Sequence, residues 1–107
     1  MQRSERTEPF TAVVLGPLFL DVIFGTVDRL PVPGEELWCD HCRFVAGGAA
    51  NQARALGRMG FKVALCSYLG EDQPGQMVRA LLAGEGISAD LLQMVPRQSV
   101  TAAISVG

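Results

Sequence analysis

The stretch 46–60, AGGAANQARALGRMG, constrains this chain most, because two adjacent glycines lead directly into helix-forming residues. Gly47 and Gly48 permit positive φ and let the backbone approach another group closely. Residues 49–59 include few β-branched side chains and several strong helix formers, so the sequence predicts a helix there. The first N–H groups of such a helix point outward with partial positive charge, which suits a phosphate, a carboxylate or a sugar oxygen.

Asn51 falls in the first turn of this predicted helix, where its amide can both donate and accept hydrogen bonds, as a polyol requires. A structural interpretation stands beside this one. The glycines would end a strand, and Ala50, Ala53 and Gly57 recur at helical spacing, so the helix could pack tightly on a sheet. The residues alone favour the structural interpretation and leave binding as the minority alternative.

Asp21 lies within an apolar run, LFLDVIF, where a carboxylate is costly unless it is paired, hydrogen-bonded or at the mouth of a site. The preceding segment 11–16, TAVVLG, is typical of a buried parallel strand. Ligands of open α/β sheets bind beyond the carboxyl ends of such strands. Asp21 is therefore either an exposed turn residue or a carboxylate that accepts hydrogen bonds from ligand hydroxyls, and the residues leave both open.

Residues 28–34 form a loop stiffened by two prolines, and residues 35–45 are predicted to be a strand. Strict alternation would place Leu37, Cys39, His41 and Arg43 on one face. Such a ribbon suits a flap over a site or an edge that pairs with a second subunit. The Cys39–Cys42 spacing does not predict a metal site, because no second ligand pair follows it.

The remaining chain predicts a strand at 62–69, a helix at 73–85 capped by Asp72, a short strand within 87–95 and a strand at 100–106. Alternating β and α units predict a parallel sheet with right-handed crossovers. Two or three core strands leave much of such a sheet uncovered. The sequence therefore indicates part of a larger α/β structure.

The composition limits the classes of partner and compartment. With 107 residues the chain suffices for one small domain, and a net charge of −2 without a basic patch argues against nucleic acid as a partner. The apolar run 12–24 is too short to span a bilayer, so no membrane partner is expected. Three cysteines, an odd number, favour a reducing cytoplasm. Residues 1–10 mix both charges and are predicted to be a disordered tail.

Several spaced motifs together resemble the first signature of the PfkB or ribokinase-type carbohydrate kinases. They are Gly47-Gly48-Ala49-Ala50-Asn51-Gln52-Ala53 with the later Gly60 and Gly70, Pro31-x-Pro33-Gly34-Glu35, and Gly70-x-Asp72-x-x-Gly75. The resemblance covers residues 11–107. It implies the N-terminal, substrate-binding part of a three-layer α/β/α fold with a small β lid, without the remainder of that domain.

The resemblance also implies an activity. Members phosphorylate a sugar, nucleoside or related alcohol with ATP and a divalent cation, Mg²⁺. By that resemblance Asp21 holds substrate hydroxyls, the backbone of Gly47 and Gly48 packs on the sugar, and Asn51 hydrogen-bonds it. Trp38 and residues 100–106 would belong to the lid, which in many members also builds a homodimer.

Two departures from the family pattern limit this expectation. Phe19 stands where the family often has a polar residue, which favours a substrate with an apolar portion. The family's catalytic base, glycine-rich anion hole and nucleotide segments lie far downstream and are not in this sequence, so no catalytic residue is assigned and the chain alone is expected to be inactive.

Two other functions are weighed against the kinase. The first is a non-catalytic truncated fragment or a lid-mediated association module. The second, a dinucleotide-binding domain, is disfavoured because no G-x-G-x-x-G follows the first strand, and a P-loop lysine motif is absent from the sequence as well.

Overall fold

A computed structural model of the chain describes residues 10–107. The disordered tail predicted for residues 1–10 therefore lies outside the described residues, apart from Phe10. Along residues 10–107 the elements are β1 (Ala12–Leu15), β2 (Leu18–Val27), β3 (His41–Gly48), α1 (Ala49–Arg58), β4 (Val63–Gly70), α2 (Gln73–Gly84), β5 (Leu92–Val95) and β6 (Ser99–Val106). The order from β3 onward follows the prediction, and the apolar run around Asp21 forms a separate strand, β2, after the predicted first strand.

The first of two sheets, the core sheet, consists of β1, β4 and β5 in parallel pairing. Helices α1 and α2 cover one of its faces, and the buried cluster there includes Val14, Leu65, Leu69, Ala50, Ala53, Val78 and Leu82. On the other face Leu15 and Tyr68 are 73% and 60% exposed. The strand predicted to be buried at 11–16 is thus buried on one face only, because no helix among the described residues covers the second.

The two helices begin as the sequence predicts. Helix α1 starts directly after the glycine pair, and Ala49, Ala50 and Ala53 are buried against the sheet, as the structural interpretation of the small residues requires. Asp72 caps α2, since its Oδ1 accepts a hydrogen bond from the Gly75 N–H at 3.1 Å. Local residue preferences therefore fix both helix starts.

The second sheet, the lid sheet, has the order β3-β2-β6, with β2 antiparallel to β3 and parallel to β6. Its base joins the core through Leu18, Leu20 and Ala46. Residues paired across strands share a face, and alternate residues lie on opposite faces. We call the face with Asp21, Arg43 and Thr101 the polar face. The opposite face, with Phe24, Phe44 and Ile104, is the apolar face.

The strand predicted over 35–45 is wrong in its first half, because β3 begins only at His41. Residues 28–40 form a loop instead. The Arg29 guanidinium donates to both carboxylate oxygens of Glu35, at 2.7 and 2.6 Å, and the Val32 N–H donates to the same carboxylate at 3.0 Å. These bonds close a turn over residues 29–35, directly before the part of the predicted strand that is a loop.

The predicted alternation fails for the same reason. His41 and Arg43 share a face of β3, but Leu37 and Cys39 precede the strand. Leu37 and Cys39 instead line a cavity of about 180 Å³ together with Phe24, on the apolar face. The loop therefore covers part of that face.

A buried glutamine joins the lid sheet to the core sheet. Gln98, 8% exposed, accepts a hydrogen bond from the Gly70 N–H at 2.9 Å and donates to the Leu18 carbonyl at 2.7 Å. The backbone N–H of Gln98 donates a hydrogen bond to the Asp72 carboxylate at 3.1 Å. At Gly75 a Cβ would overlap the Gly70 carbonyl. The Gly70-x-Asp72-x-x-Gly75 motif thus maintains the junction between the sheets.

Candidate functional site

Asp21 lies in the middle of β2 and is half-buried, so it is a strand residue rather than an exposed turn residue. Thr101 of β6, its partner in register, donates its hydroxyl hydrogen to Asp21 Oδ1 at 2.6 Å. This bond fixes the rotation of the carboxylate and leaves its second oxygen, Oδ2, directed at β3. The lid sheet therefore presents an oriented acceptor on its polar face.

Gly47 lies directly beneath that carboxylate. A Cβ at Gly47 would overlap Asp21 Oδ2, so the close approach of backbone and carboxylate requires glycine at this position. Gly47 itself is buried. The structure thus brings two of the predicted site residues, Asp21 and Gly47, into contact.

Gly48 has a φ of +67° and is the N-cap of α1. A Cβ there would overlap the Pro17 carbonyl and would lie 2.7 Å from the ring of Phe19. Phe19 therefore covers Gly48 with an aromatic surface. No side chain within residues 10–107 caps α1, and the Ala49 N–H donates to the Pro17 carbonyl at 2.7 Å.

Asn51 follows in the first turn of α1 and is exposed. Its side-chain oxygen accepts a hydrogen bond from Arg54 Nη1 at 2.8 Å. The amide NH₂ and the second lone pair of the oxygen are the groups that Asn51 can offer to a ligand.

Arg54 is a member of this site that the sequence analysis missed. Its guanidinium donates to the Ala46 carbonyl at 2.8 Å and forms an ion pair with Glu85 at the end of α2. The hydrogen bond to Glu85 raises the pKa of Arg54 above its ordinary value, with smaller contributions from the charges of Glu85 and Asp21. The sequence did contain a signal for this contact, because Arg54 follows Asn51 by three residues and so lies on the same face of the helix.

The sequence did not reveal Thr101 as a partner of Asp21, for a different reason. Its partner Asp21 is 80 residues away in the chain, and only the parallel pairing of β2 with β6 brings the two together. The sequence shows a hydroxyl in a strand of mostly small and apolar residues, which indicates no partner. Thr101 is nonetheless the residue that orients the carboxylate.

The polar groups gathered here suit hydroxyls better than a metal. Asp21 supplies one carboxylate and Asn51 supplies an amide, and Gly47 lies buried beneath the carboxylate. Nowhere in residues 10–107 do three His, Cys, Asp or Glu side chains gather in a way that could hold a metal ion. Neither described helix is long and apolar enough to cross a membrane.

The known proteins that this chain resembles are carbohydrate kinases. The family model for pfkB family carbohydrate kinases matches residues 11–107. A D-beta-D-heptose 7-phosphate kinase of Bordetella bronchiseptica is 35% identical over 94 residues, which cover 83% of this chain and 29% of that protein. A ribokinase of Haemophilus influenzae is 35% identical over 89 residues, which cover 82% and 29% respectively.

Among solved structures, Arabidopsis thaliana ribokinase complexed with ribose and ATP matches with a TM-score of 0.63 and 29% identity. The match covers 88% of this chain and 29% of that one. The chain thus spans about three-tenths of the length of these relatives. The predicted ribokinase-like α/β fold with a β lid is confirmed, as a part of that fold.

Proposed function

The chain belongs to the pfkB family of carbohydrate kinases, and from that premise we propose that residues 11–107 form the sugar-binding part of an ATP-dependent kinase for a sugar or related alcohol. One observation carries the proposal. The Asp21 carboxylate, oriented by Thr101, stands over the bare backbone of Gly47, where a side chain would collide with it. A ligand with several hydroxyls fits this arrangement because each O–H can donate to the fixed carboxylate.

The other predicted site residues extend the same surface. Gly48 presents backbone beside the Phe19 ring, which suits the apolar C–H face of a sugar or a nucleoside. Asn51 offers its NH₂ to a sugar oxygen, and its carbonyl oxygen accepts from Arg54. In this proposal Asp21 binds and orients substrate, and no residue among 10–107 is assigned as the catalytic base.

We place ATP and Mg²⁺ outside this surface. The Arabidopsis relative was solved with ATP, but residues 10–107 do not fit a metal site, since no three ligating side chains gather there. Nucleotide and metal contacts would come from the larger part of such a kinase, beyond the matched three-tenths. The 107 residues by themselves would then transfer no phosphoryl group.

Two measurements on the 107-residue chain test this proposal. Titration with ribose, fructose and adenosine, followed by amide NMR, is expected to shift the signals of Gly47, Gly48 and Asn51 for at least one compound. An ATP turnover assay with the same compounds is expected to show none. Sugar-dependent turnover would contradict the assignment of the catalytic groups, and shifts absent from all three residues would contradict the sugar site.

A second candidate, association through the lid as a homodimer or with a complementary chain, rests on the apolar face. Phe44 and Ile104 are each 44% exposed, and Val100 is 50% exposed on the same sheet face. Light scattering over a hundredfold range of protein concentration, without sugar, tests it. Mass that rises with concentration supports association, and a constant monomer mass rejects it.

A further inference from the structure

We propose that Cys39 and Cys42 form a redox site, a pair of thiols that a small-molecule disulfide converts reversibly into one intramolecular disulfide. The site lies where the loop 28–40 meets β3, on the apolar face of the lid sheet. It requires no ligand at Asp21, so the inference goes beyond the proposed sugar site and does not depend on it.

A bend in the chain at Asp40 brings the Cys39 sulfur back toward Cys42. In a continuous strand, residues three apart lie on opposite faces, and a disulfide between them could not close. Strand β3 begins only at His41, however, and Asp40 forms a bend immediately before it. The Cys39 S–H donates to the His41 carbonyl oxygen at 3.5 Å. That oxygen belongs to the peptide unit that leads into Cys42, so the sulfur lies close to the backbone of its proposed partner.

Both cysteines lie beside the same aromatic residue. Cys42 is the partner of Phe24 in register, and residues paired across strands share a face, which here is the apolar face. Cys39 lines the cavity on that face, again together with Phe24. The two thiols are therefore on one side of the sheet. In this proposal the disulfide closes by rotation of the side chains, and the pairing of β3 with β2 stays unchanged.

The two thiols can be reached by a reagent from solvent. Both cysteines are free, and Cys42 is exposed whereas Cys39 is partly exposed. Accessible thiols react with disulfides, whereas cysteines buried in an apolar core are inert. Cys66, the third cysteine, lies in β4 of the core sheet and is paired in register with Leu15. It supplies a single thiol with which the pair can be compared.

The reaction consists of two successive thiol–disulfide exchanges. The more exposed Cys42 attacks glutathione disulfide as its thiolate, which breaks the glutathione S–S bond and releases one glutathione. The Cys39 sulfur then attacks the Cys42 sulfur of the mixed disulfide, forms the Cys39–Cys42 bond and releases the second glutathione. Two protein thiols are oxidised and one glutathione disulfide is reduced, and the two thiol protons pass through solvent to the two released glutathione thiolates.

The disulfide adds a second tie between the loop and the lid sheet. The preceding part of the loop is already closed into a turn by Glu35, which accepts hydrogen bonds from the Arg29 guanidinium and the Val32 N–H. Leu37 and Cys39 line the cavity on the apolar face, so a bond at Cys39 fixes the intervening residues over that face. Disulfides in reducing compartments are usually transient and redox-sensing. The loop is the segment that this one controls.

The test incubates the 107-residue chain in mixtures of reduced and oxidised glutathione, alkylates the remaining thiols and maps the products by mass spectrometry. The Cys39–Cys42 disulfide is expected, with Cys66 alkylated or present only as a mixed disulfide. Repeating the equilibrium in concentrated guanidinium chloride tests the geometry, because unfolding removes the bend at Asp40. The ratio of intramolecular to mixed disulfide is expected to be about tenfold higher in the folded chain than in the unfolded one.

Cys66→Ser is the matched control, because it removes a thiol from the core sheet and should leave the Cys39–Cys42 disulfide unchanged. Cys42→Ser should leave Cys39 able to form mixed disulfides only. An equal ratio in the folded and the unfolded chain would overturn the redox site. So would oxidation that yields only mixed or intermolecular disulfides.

Hydrogen exchange tests the consequence for the loop. In the Cys66→Ser variant, oxidation is expected to slow exchange of the amides at residues 36–40 about threefold. The same treatment of Cys42→Ser should leave their exchange unchanged. If the disulfide forms and the amides exchange as before, the bond does not hold the loop, and the proposed control of the loop is wrong.

Discussion

The two faces of the lid sheet are built from the same three strands and differ in almost every property. The polar face carries Asp21 and Thr101 in a hydrogen bond, over a glycine that can have no side chain. The apolar face carries Phe44 and Ile104, each nearly half exposed, and is covered in part by the loop 28–40. Because side chains alternate along a strand, one sequence segment supplies both faces.

The difference shows that the two faces of one sheet can be altered independently of each other. Substitutions on one face leave the side chains of the other in place, provided that the backbone stays where it is. The polar face depends on close geometric fit, and the apolar face depends on exposed area. Ligand binding and self-association should therefore respond to separate sets of residues.

The largest effect is expected from Gly47→Ala, which would break the polar face. The new Cβ overlaps Asp21 Oδ2, so the carboxylate or the strand must move. We expect a stability loss of about 1–3 kcal/mol and a loss of sugar affinity of about 100-fold. Thermal unfolding and calorimetry measure the two quantities.

Gly57→Ala is the control for that substitution. Its Cβ would meet no atom within 4 Å, and it lies inside α1. Alanine there should raise stability by about 0.5–1 kcal/mol. If Gly47→Ala behaved like Gly57→Ala, the contact between glycine and carboxylate would not constrain the site.

Asp21→Asn should have the next largest effect, on binding rather than on folding. The amide keeps the shape and can still accept from Thr101, so the melting temperature should change by about 2 °C or less. Sugar affinity should fall about tenfold or more, because charge-assisted hydrogen bonds from the hydroxyls are lost. Asp40→Asn, in the exposed loop, is the control. Equal binding by both variants would argue against Asp21 as the ligand-binding carboxylate.

Phe44→Ser tests the apolar face of the lid sheet. Removing an exposed aromatic ring from the apolar face should weaken self-association about tenfold. Sugar affinity should change less than about twofold. Sedimentation velocity at several concentrations measures the first quantity, and Arg43→Gln, one residue away on the opposite face, is the control. An effect of Arg43→Gln on association would show that the two faces are not independent.

The smallest effect is expected at the loop over the apolar face. The Arg29 guanidinium and the Val32 N–H hold the pKa of Glu35 below its ordinary value of 4.5, so the folded state favours the charged carboxylate. The resulting stabilisation is present above pH 4.5 and is lost as the pH falls through the lowered pKa.

Glu35→Gln should therefore lower the melting temperature by about 1 °C or less at pH 7 and speed proteolysis of the loop. The difference from the wild type should vanish as the pH falls below the lowered pKa. The neighbouring Glu36→Gln is the control and should change neither quantity. A difference that persisted at low pH would show that the Arg29–Glu35 pair does not hold the loop.

Much of the fold could be predicted because the signals are local. Strand β4 follows from an apolar run, and the start of α1 follows from the glycines. The prediction failed at residues 35–40, where β-favouring residues such as Trp38 lie in a loop and pair with no strand. Trp38 is 97% exposed in consequence.

The candidate site could be predicted only in part. Gly47 and Gly48 were visible in the sequence because a glycine pair before a helix has a conformational meaning of its own. The pairing of Thr101 with Asp21 and that of Arg54 with Glu85 were not visible, because each pair joins residues that are distant in the chain.

The sequence by itself determined where most strands and helices lie and where α1 begins, and only its resemblance to a family implied that Asp21 and the glycine pair belong to one site. Only the tertiary structure decided that Thr101 orients Asp21 and that Arg43 and His41 share the carboxylate's face. The physical reason is the range of the interactions. Dihedral preferences and caps act within a few residues, whereas strand register is fixed by pairings across the whole chain, and one residue of slip would move every side chain to the other face.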